Sequence, residues 1–281
     1  MKVLGIDAGF SKSRATSCYC GLQITGRLIS FDREPTRFHA DCDLSKHFAI
    51  ANYSVITLDA PLTPRRISRR IQGRKIEKLF SQGVFSNTKK GPQPSSIAVP
   101  EQGWKLYHAG MDLMSKLKGR SYVTISGLQG VPRAGVYEVL PKMTQSLLVP
   151  PALVASRPKG QKIDDFLFPQ LFDRKGTHRQ KIDQLLGEFR FTKDVEDFIS
   201  IISRDPKKYH EELAAVVCAF QAALIAMGRA ELVGYGGVHE GYYALPPVEC
   251  WDSDWRQPFE ELANSEEFKK SLLIKRCPPA I

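Results

Sequence analysis

Hydrophobic and polar positions change period several times along the chain, and each change marks an element. The uncharged run in KVLGID (residues 2–7) ends on a single acid and predicts a buried strand. RATSCYCG (14–21) and GRLISF (26–31) continue as strands, with turn residues in GLQITG and beyond Phe31, so the chain opens with a three-stranded meander. DLSKHFAIAN (43–52) begins on a capping aspartate and predicts one short helix, after which SVITLD (54–59) returns to strand. From Pro64 to Phe80 the period turns helical. Proline occupies the first turn, Ile67, Ile71, Ile76 and Leu79 form an apolar stripe, and the other faces carry Arg65, Arg66, Arg69, Arg70, Arg74 and Lys75.

FSNTKKGPQPSS (85–96) is too dense in Pro, Ser and Gly for either period and reads as a loop. GMDLMSKLKGR (110–120) reads as helix and GVYEVLP (135–141) as a short strand stopped by proline. Between about 150 and 205, proline punctuation precedes two helical stretches, HRQKIDQLLGEF and DVEDFISIIS. Their apolar content is thin, so the region is expected to be a helical insertion packed on the sheet, leaving the 281 residues as one domain. HEELAAVVCAFQAALIAMG (210–228) is the strongest helix of the chain, rich in alanine and ended by glycine. GYYALP (241–246) is a further strand, and FEELANSEEFKKSLL (259–273) is amphipathic.

Strand, strand, strand, helix, strand, then helices and shorter strands is the element order of an α/β fold with a ribonuclease-H-like mixed sheet and flanking helices. In that architecture an acid of the first strand lies beside an acid at the end of the fourth, and Asp7 and Asp59 occupy those positions. Two carboxylates forced together repel, and an oxygen-ligated Mg²⁺ or Mn²⁺ relieves the repulsion. Such ions act in pairs in phosphodiester hydrolysis. Glu138 stands among Val136, Tyr137, Val139 and Leu140, where a charge needs a partner or a metal. The helix that follows Tyr209 offers Glu211 and Glu212 in its first turn. Asp7, Asp59, Glu138 and Glu211 are therefore the candidate catalytic and metal-binding set, for two ions. Three of them have an ordinary alternative: Asp7 as a turn cap, Asp59 as a strand-end acceptor, Glu211 as a first-turn helix acid.

Composition and charge add a partner to this picture. A hydrophobic share of 42% is ample for a core, and the net charge of +10 has the sign of a phosphate-binding surface. Carboxylates alone repel a polyanion, whereas neighbouring cations hold its phosphates over the site. Lys12, Arg65, Arg66, Arg69, Arg70, Arg74, Lys89 and Lys90 are the candidate nucleic-acid contacts, with Lys116, Lys118 and Arg120 extending the track. The alternative is a solvated face whose arginine stems cover apolar surface. No helix-turn-helix, zinc-finger or RNP signature is present, so recognition of DNA or RNA without sequence specificity is expected. The cysteines at 18, 20, 42, 218, 250 and 277 form no CxxC pair, which fits a reduced, cytoplasmic protein. The opening apolar run is too short for a signal peptide, and no run approaches the roughly 18 residues of a membrane span. His108, His178, His210 and His239 lack ligand spacing, and no cysteine has a convincing catalytic base.

GIDAG near the start, LDAPLTP before the spaced arginines, YEVLP, the helix from His210 and the closing GYYALPP together resemble the family called domain of unknown function 429, a group of predicted ribonuclease-H-like nucleases. The resemblance covers most of the chain in order, the 150–205 region matching least. It implies the same metal-site role for Asp7, Asp59 and Glu138. The family's last helix carries an aspartate where this chain has Ala214; Glu211, one turn earlier, either substitutes for it or the second metal is lost. A second reading is an actin- or hexokinase-type kinase or ATPase, with GIDAGFSKS as a phosphate-binding turn beside Lys12 and LVGYGGVHEG as a base loop. Against it, DAPLTP, which opens on Asp59, brings prolines where phosphate-cradling glycines are needed. A third reading is a non-catalytic nucleic-acid-binding protein, which Ala214 supports.

Overall fold

The computed structural model describes residues 1–9, 11, 13–63, 74–86, 100–117, 119–123, 135–235 and 240–280. β1 (Lys2–Asp7), β2 (Ser17–Thr25) and β3 (Leu28–Phe38) form the expected antiparallel meander. Gly26, at φ 57°, supplies the left-handed backbone that the tight turn between β2 and β3 requires. β4 (Val55–Asp59) runs parallel to β1 on its other side, followed outward by β6 (Gly135–Glu138) and β5 (Ser121–Tyr122), all parallel. β7 (Arg190–Phe191) joins the far edge beside β3. The resulting mixed sheet has the order β5-β6-β4-β1-β2-β3-β7, and a small antiparallel sheet, β10-β8-β9, is made by β8 (Glu231–Gly234), β9 (Tyr242–Leu245) and β10 (Leu273–Arg276).

Among the described residues the helices are α1 (Lys75–Leu79), α2 (Pro100–Lys116), α3 (Pro141–Leu147), α4 (Pro151–Ala155), α5 (Ile163–Phe172), α6 (Arg179–Leu186), α7 (Lys193–Ser203), α8 (His210–Ala226) and α9 (Ser253–Ala263). None is long and apolar enough to cross a membrane. The single helix expected over 43–52 is instead two 3₁₀ turns, Leu44–Lys46 and Ile50–Asn52. Asp43 does cap the first by accepting from the Ser45 amide, but the backbone goes extended at Ala49 and breaks the run. Of the helix expected over 64–80, residues 75–79 are helical, and 64–73 lie outside the described residues. Helix α5 is an addition that the apolar spacing did not signal, with Pro169 within it.

The period of two along the central strands sorts side chains onto two faces, each with its own core. Leu4, Ile6, Ile56 and Leu58 point into one, closed by Phe48, Tyr53, Leu113 and Leu117. Here α2 lies so close to the chain beyond β4 that a Cβ on Gly110 would stand 2.7 Å from the Ala60 Cβ and 3.3 Å from the Pro61 carbonyl oxygen. Val3 and Val55 point to the other face, covered by α8, whose residues Leu213–Ala226 are buried without a break. The region 150–205, expected to be thin in apolar content, contributes directly to this second core: Leu167, Phe168, Leu171 and Phe172 of α5 are fully buried in it, Phe172 edge-on to Phe220 of α8 at 5.2 Å.

Alanines and one glycine let α8 sit against β1. A Cβ on Gly5 would lie 2.0 Å from the Ala219 amide nitrogen and 2.5 Å from the Cys218 carbonyl carbon. Beside it, the Thr57 hydroxyl donates to the Cys218 carbonyl at 2.7 Å, which sets the helix along the sheet. Gly5→Ala should therefore destabilise by at least the roughly 1–3 kcal/mol of an overpacked core, because the clash is with backbone. A urea midpoint within error of the wild type would show that the helix yields easily.

Candidate functional site

The alternation that builds the cores also places the acids. Asp7 follows Val3 and Gly5, and Asp59 follows Val55 and Thr57, so both carboxylates emerge on the α8 face at the C-terminal ends of adjacent parallel strands. They are register partners, Asp7 opposite Asp59. The ladder thus brings together two residues 52 positions apart, within the roughly 5 Å spacing of neighbouring strands.

These two carboxylates line a cleft of about 560 Å³. Its described wall includes Glu138 from β6, Lys142 from the start of α3, Asp164 from the first turn of α5, and His210 and Ala214 from α8. Burial pushes Asp7 well up from the usual carboxylate range, and repulsion from Asp59 and Asp164 adds to it. Asp59 is pushed up to about 7, again first by burial and then by Asp164, with Lys142 acting in the opposite direction. Burial also raises Asp164, whose Oδ1 accepts from Gln145 Nε2 at 2.7 Å, while His210 and Lys142 moderate the shift. Lys142 itself is lowered by burial, against the pull of Asp164 and Asp59. Such a cluster disfavours its own ionised carboxylates and gains from a cation between them.

The other two expected ligands are engaged by protein cations. Glu138 is buried, and Arg74 donates to both of its oxygens, Nη1 to Oε2 at 2.6 Å and Nη2 to Oε1, while the Leu62 amide donates to Oε2 at 3.0 Å. Arg74 also donates to Thr63 Oγ1 at 2.9 Å and to Glu77 Oε1 at 3.1 Å. Arg74 is thus neither the expected phosphate contact nor part of a solvated face, but a buried side chain clamped between two carboxylates. Glu211 lies 3.1 Å from Arg37 of β3, which also donates in two parallel bonds of 2.7 Å to Glu212. No three His, Cys, Asp or Glu side chains among the described residues gather around one point as metal ligands would. The four acids therefore divide into an aspartate pair and two glutamates held by arginines.

Of the remaining expected cations, Lys12, Arg65, Arg66, Arg69, Arg70, Lys89, Lys90 and Lys118 lie outside the described residues. Lys116 pairs with Asp112 at 2.8 Å and donates to the Ala40 carbonyl, and Arg120 donates to the carbonyls of Ile50, Ala51 and Tyr53. Both tie loops to the fold.

Spacing in the sequence missed Asp164, Lys142 and His210. His210 Nδ1 is 2.6 Å from Asp165 Oδ1; burial opposes its protonation, but this hydrogen bond and the nearby Asp164 carry its pKa upward. The signal for Asp164 was the pair of acids in KIDD, which looks like ordinary first-turn charge. Beyond β1, the Gly9 amide donates to Ser17 Oγ at 3.0 Å and the Ser11 amide to Thr16 Oγ1 at 3.4 Å, so these two amides are committed within the turn. The chain matches no family model, no curated protein and no solved structure.

Proposed function

We propose that the chain is a ribonuclease-H-like protein of the domain of unknown function 429 type, and that its cleft hydrolyses phosphodiester bonds in DNA or RNA with Mg²⁺ or Mn²⁺. The observation that carries this reading is the register pair Asp7 and Asp59, raised together at the ends of adjacent parallel strands inside a cleft. An antiparallel meander, a parallel fourth strand beside the first and a long helix across them are consistent with that fold. The donor set fits a divalent cation of the Mg²⁺ class, which commonly takes one or two carboxylates from protein and fills its other positions with water and substrate phosphate. Bound there, the ion supplies Lewis-acid charge and an acidified water.

The chain's own residues have separable tasks. Asp7 and Asp59 hold the cation. Asp164 adds negative charge beside the pair, and Arg74 neutralises Glu138 so that it does not become a further repulsive centre. Lys142 and His210, which also line the cleft, supply the groups that would neutralise a phosphate and its leaving oxygen. The committed Gly9 and Ser11 amides argue against the nucleotide-cradling alternative. The non-catalytic reading draws support from Ala214, which faces the cleft where the family carries an acid, and from the capture of Glu211 by Arg37.

The test is cleavage of single- and double-stranded DNA and RNA with Mg²⁺, with Mn²⁺ and in chelator. With only two protein carboxylates, activity should be weak in Mg²⁺ and stronger in Mn²⁺, which tolerates distorted coordination. Ala214→Asp should raise it. No cleavage with either metal, and none gained by Ala214→Asp, would leave the non-catalytic binder as the reading.

A further inference from the structure

The loop between α4 and α5 brings three hydrogen-bond donors to the cleft. Within it the Gln161 amide donates to the Pro158 carbonyl at 3.1 Å, and Gly160, at φ 84°, supplies the left-handed residue that so tight a turn requires. Arg157 enters this turn, Gln161 and Lys162 leave it, and all three line the cleft together with Lys142 of α3. The acids that follow are taken up by protein groups: Asp164 accepts from Gln145 Nε2 at 2.7 Å, and Asp165 holds His210 Nδ1 at 2.6 Å. The cations are not. Among the described residues neither Arg157 nor Lys162 donates a side-chain hydrogen bond or forms an ion pair, although Arg157 is half-buried. Their charge is nonetheless felt inside the cleft, Arg157 acting against Lys142, and Lys162 acting on Asp7 and His210.

We propose that Arg157 and Lys162 grip backbone phosphates next to the one that lies over Asp7 and Asp59, which makes a polynucleotide, rather than a single phosphate ester, the substrate of the cleft. The proposal rests on the nucleic-acid reading of that cleft. The ion, Lys142 and His210 already neutralise the phosphate that is cleaved, so two further cations lining the same cleft call for its neighbours along the strand. Lys142 and Arg157 are like charges brought close, and an anion between them relieves their repulsion as a cation relieves that of the aspartates. The arginine offers a planar fork that meets two phosphate oxygens at once, and the lysine a mobile point charge. Contacts of this kind hold a strand without reading its bases. The grip thus falls on the α4–α5 loop, whereas Arg74, Lys116 and Arg120 are occupied within the fold.

Salt dependence counts such contacts, because each phosphate neutralised releases counterions. The experiment titrates the full chain in EDTA, where hydrolysis is suppressed, with a labelled oligothymidylate, and follows anisotropy across a series of salt concentrations. Arg157→Gln combined with Lys162→Gln should weaken binding about tenfold or more at low salt and flatten the plot of log Kd against log salt by about 1.4, roughly 0.7 for each phosphate lost from a single strand. Lys175→Gln combined with Arg204→Gln removes two charges from a separate cavity and should keep the wild-type slope. Thymidine monophosphate should displace the oligomer poorly. In Mg²⁺ or Mn²⁺ the Arg157 and Lys162 double variant should raise KM for the oligomer more than it lowers kcat. An unchanged slope, an equal loss in the control pair, or displacement by the monophosphate at matched nucleotide concentration overturns the grip, and so does a chain that binds no oligomer. The two readings fail separately. Binding with the expected loss of slope but no cleavage in either metal retains the grip and removes the hydrolase, whereas cleavage with wild-type KM and slope in the double variant does the reverse.

Discussion

Asp7→Asn and Asp59→Asn should each lower metal-dependent cleavage about a thousandfold, the several kcal/mol that a bound divalent ion supplies, while the folded protein in chelator melts higher than the wild type at neutral pH. The two halves of this result have one cause. Asn keeps the shape of the side chain but carries no charge to desolvate, so the variant loses the attraction for a cation and the repulsion within the pair together. The direction of the pH dependence follows. Both folded carboxylates titrate above their unfolded values, Asp59 moving from 3.8 to about 7, so the native state holds more protons than the unfolded chain across that interval. Their contribution is fully present below the unfolded value and is lost as pH rises towards 7. Melting in chelator should fall over this window for the wild type and fall less for either variant. Saturating Mg²⁺ should oppose the fall, since a ligand at a hundredfold its Kd stabilises by about 2.7 kcal/mol. A wild type whose melting ignores both pH and Mg²⁺, matched by Asp59→Asn, would remove the cation site.

Arg74→Ala should cost about 3–5 kcal/mol, the penalty for stripping a buried ion pair of one partner. The loss strands two carboxylates at once, because Glu138 and Glu77 are both buried and share this guanidinium. Burial alone already pushes Glu138 upward, and Arg74 is what holds that shift in check. Glu138→Gln should cost less, since Arg74 retains Glu77 and Thr63 as partners. Urea midpoints with an unchanged slope would measure both. If Arg74→Ala loses less than about 1 kcal/mol, water reaches the pair and it is not the clamp described here.

The aspartate pair was legible because two independent cues coincided: each strand carries a single acid, at its last residue, and the element order made those strands neighbours. Glu138 was legible as a buried charge in need of a partner. The partner was misread, since the helical stripe through Ile71 and Ile76 sorts Arg74 with the solvated face and says nothing of a chain that turns inward there. Asp164 could not be read, because two acids opening a helix have the same appearance whether they face water or a cleft. The segment that carries it looked peripheral from its thin apolar content, but thirteen of its apolar side chains, Leu167, Phe168, Leu171 and Phe172 among them, are buried in the core. The fourth-ligand question turned on β3, whose Arg37 lies 174 residues from Glu211 and has no local signature.

The contact of Gly110 with Ala60 and Pro61 makes α2 and the end of β4 one mechanical piece. Only Ala60 separates Asp59 from the residue whose carbonyl meets Gly110, and the Ala60 methyl is the nearest side-chain atom at this contact. Any displacement of α2 would therefore reach the carboxylate pair within a single contact. The seating of the helix on Ala60 and the spacing of the two aspartates become one coordinate, so a residue that wedges this contact open would also move the pair.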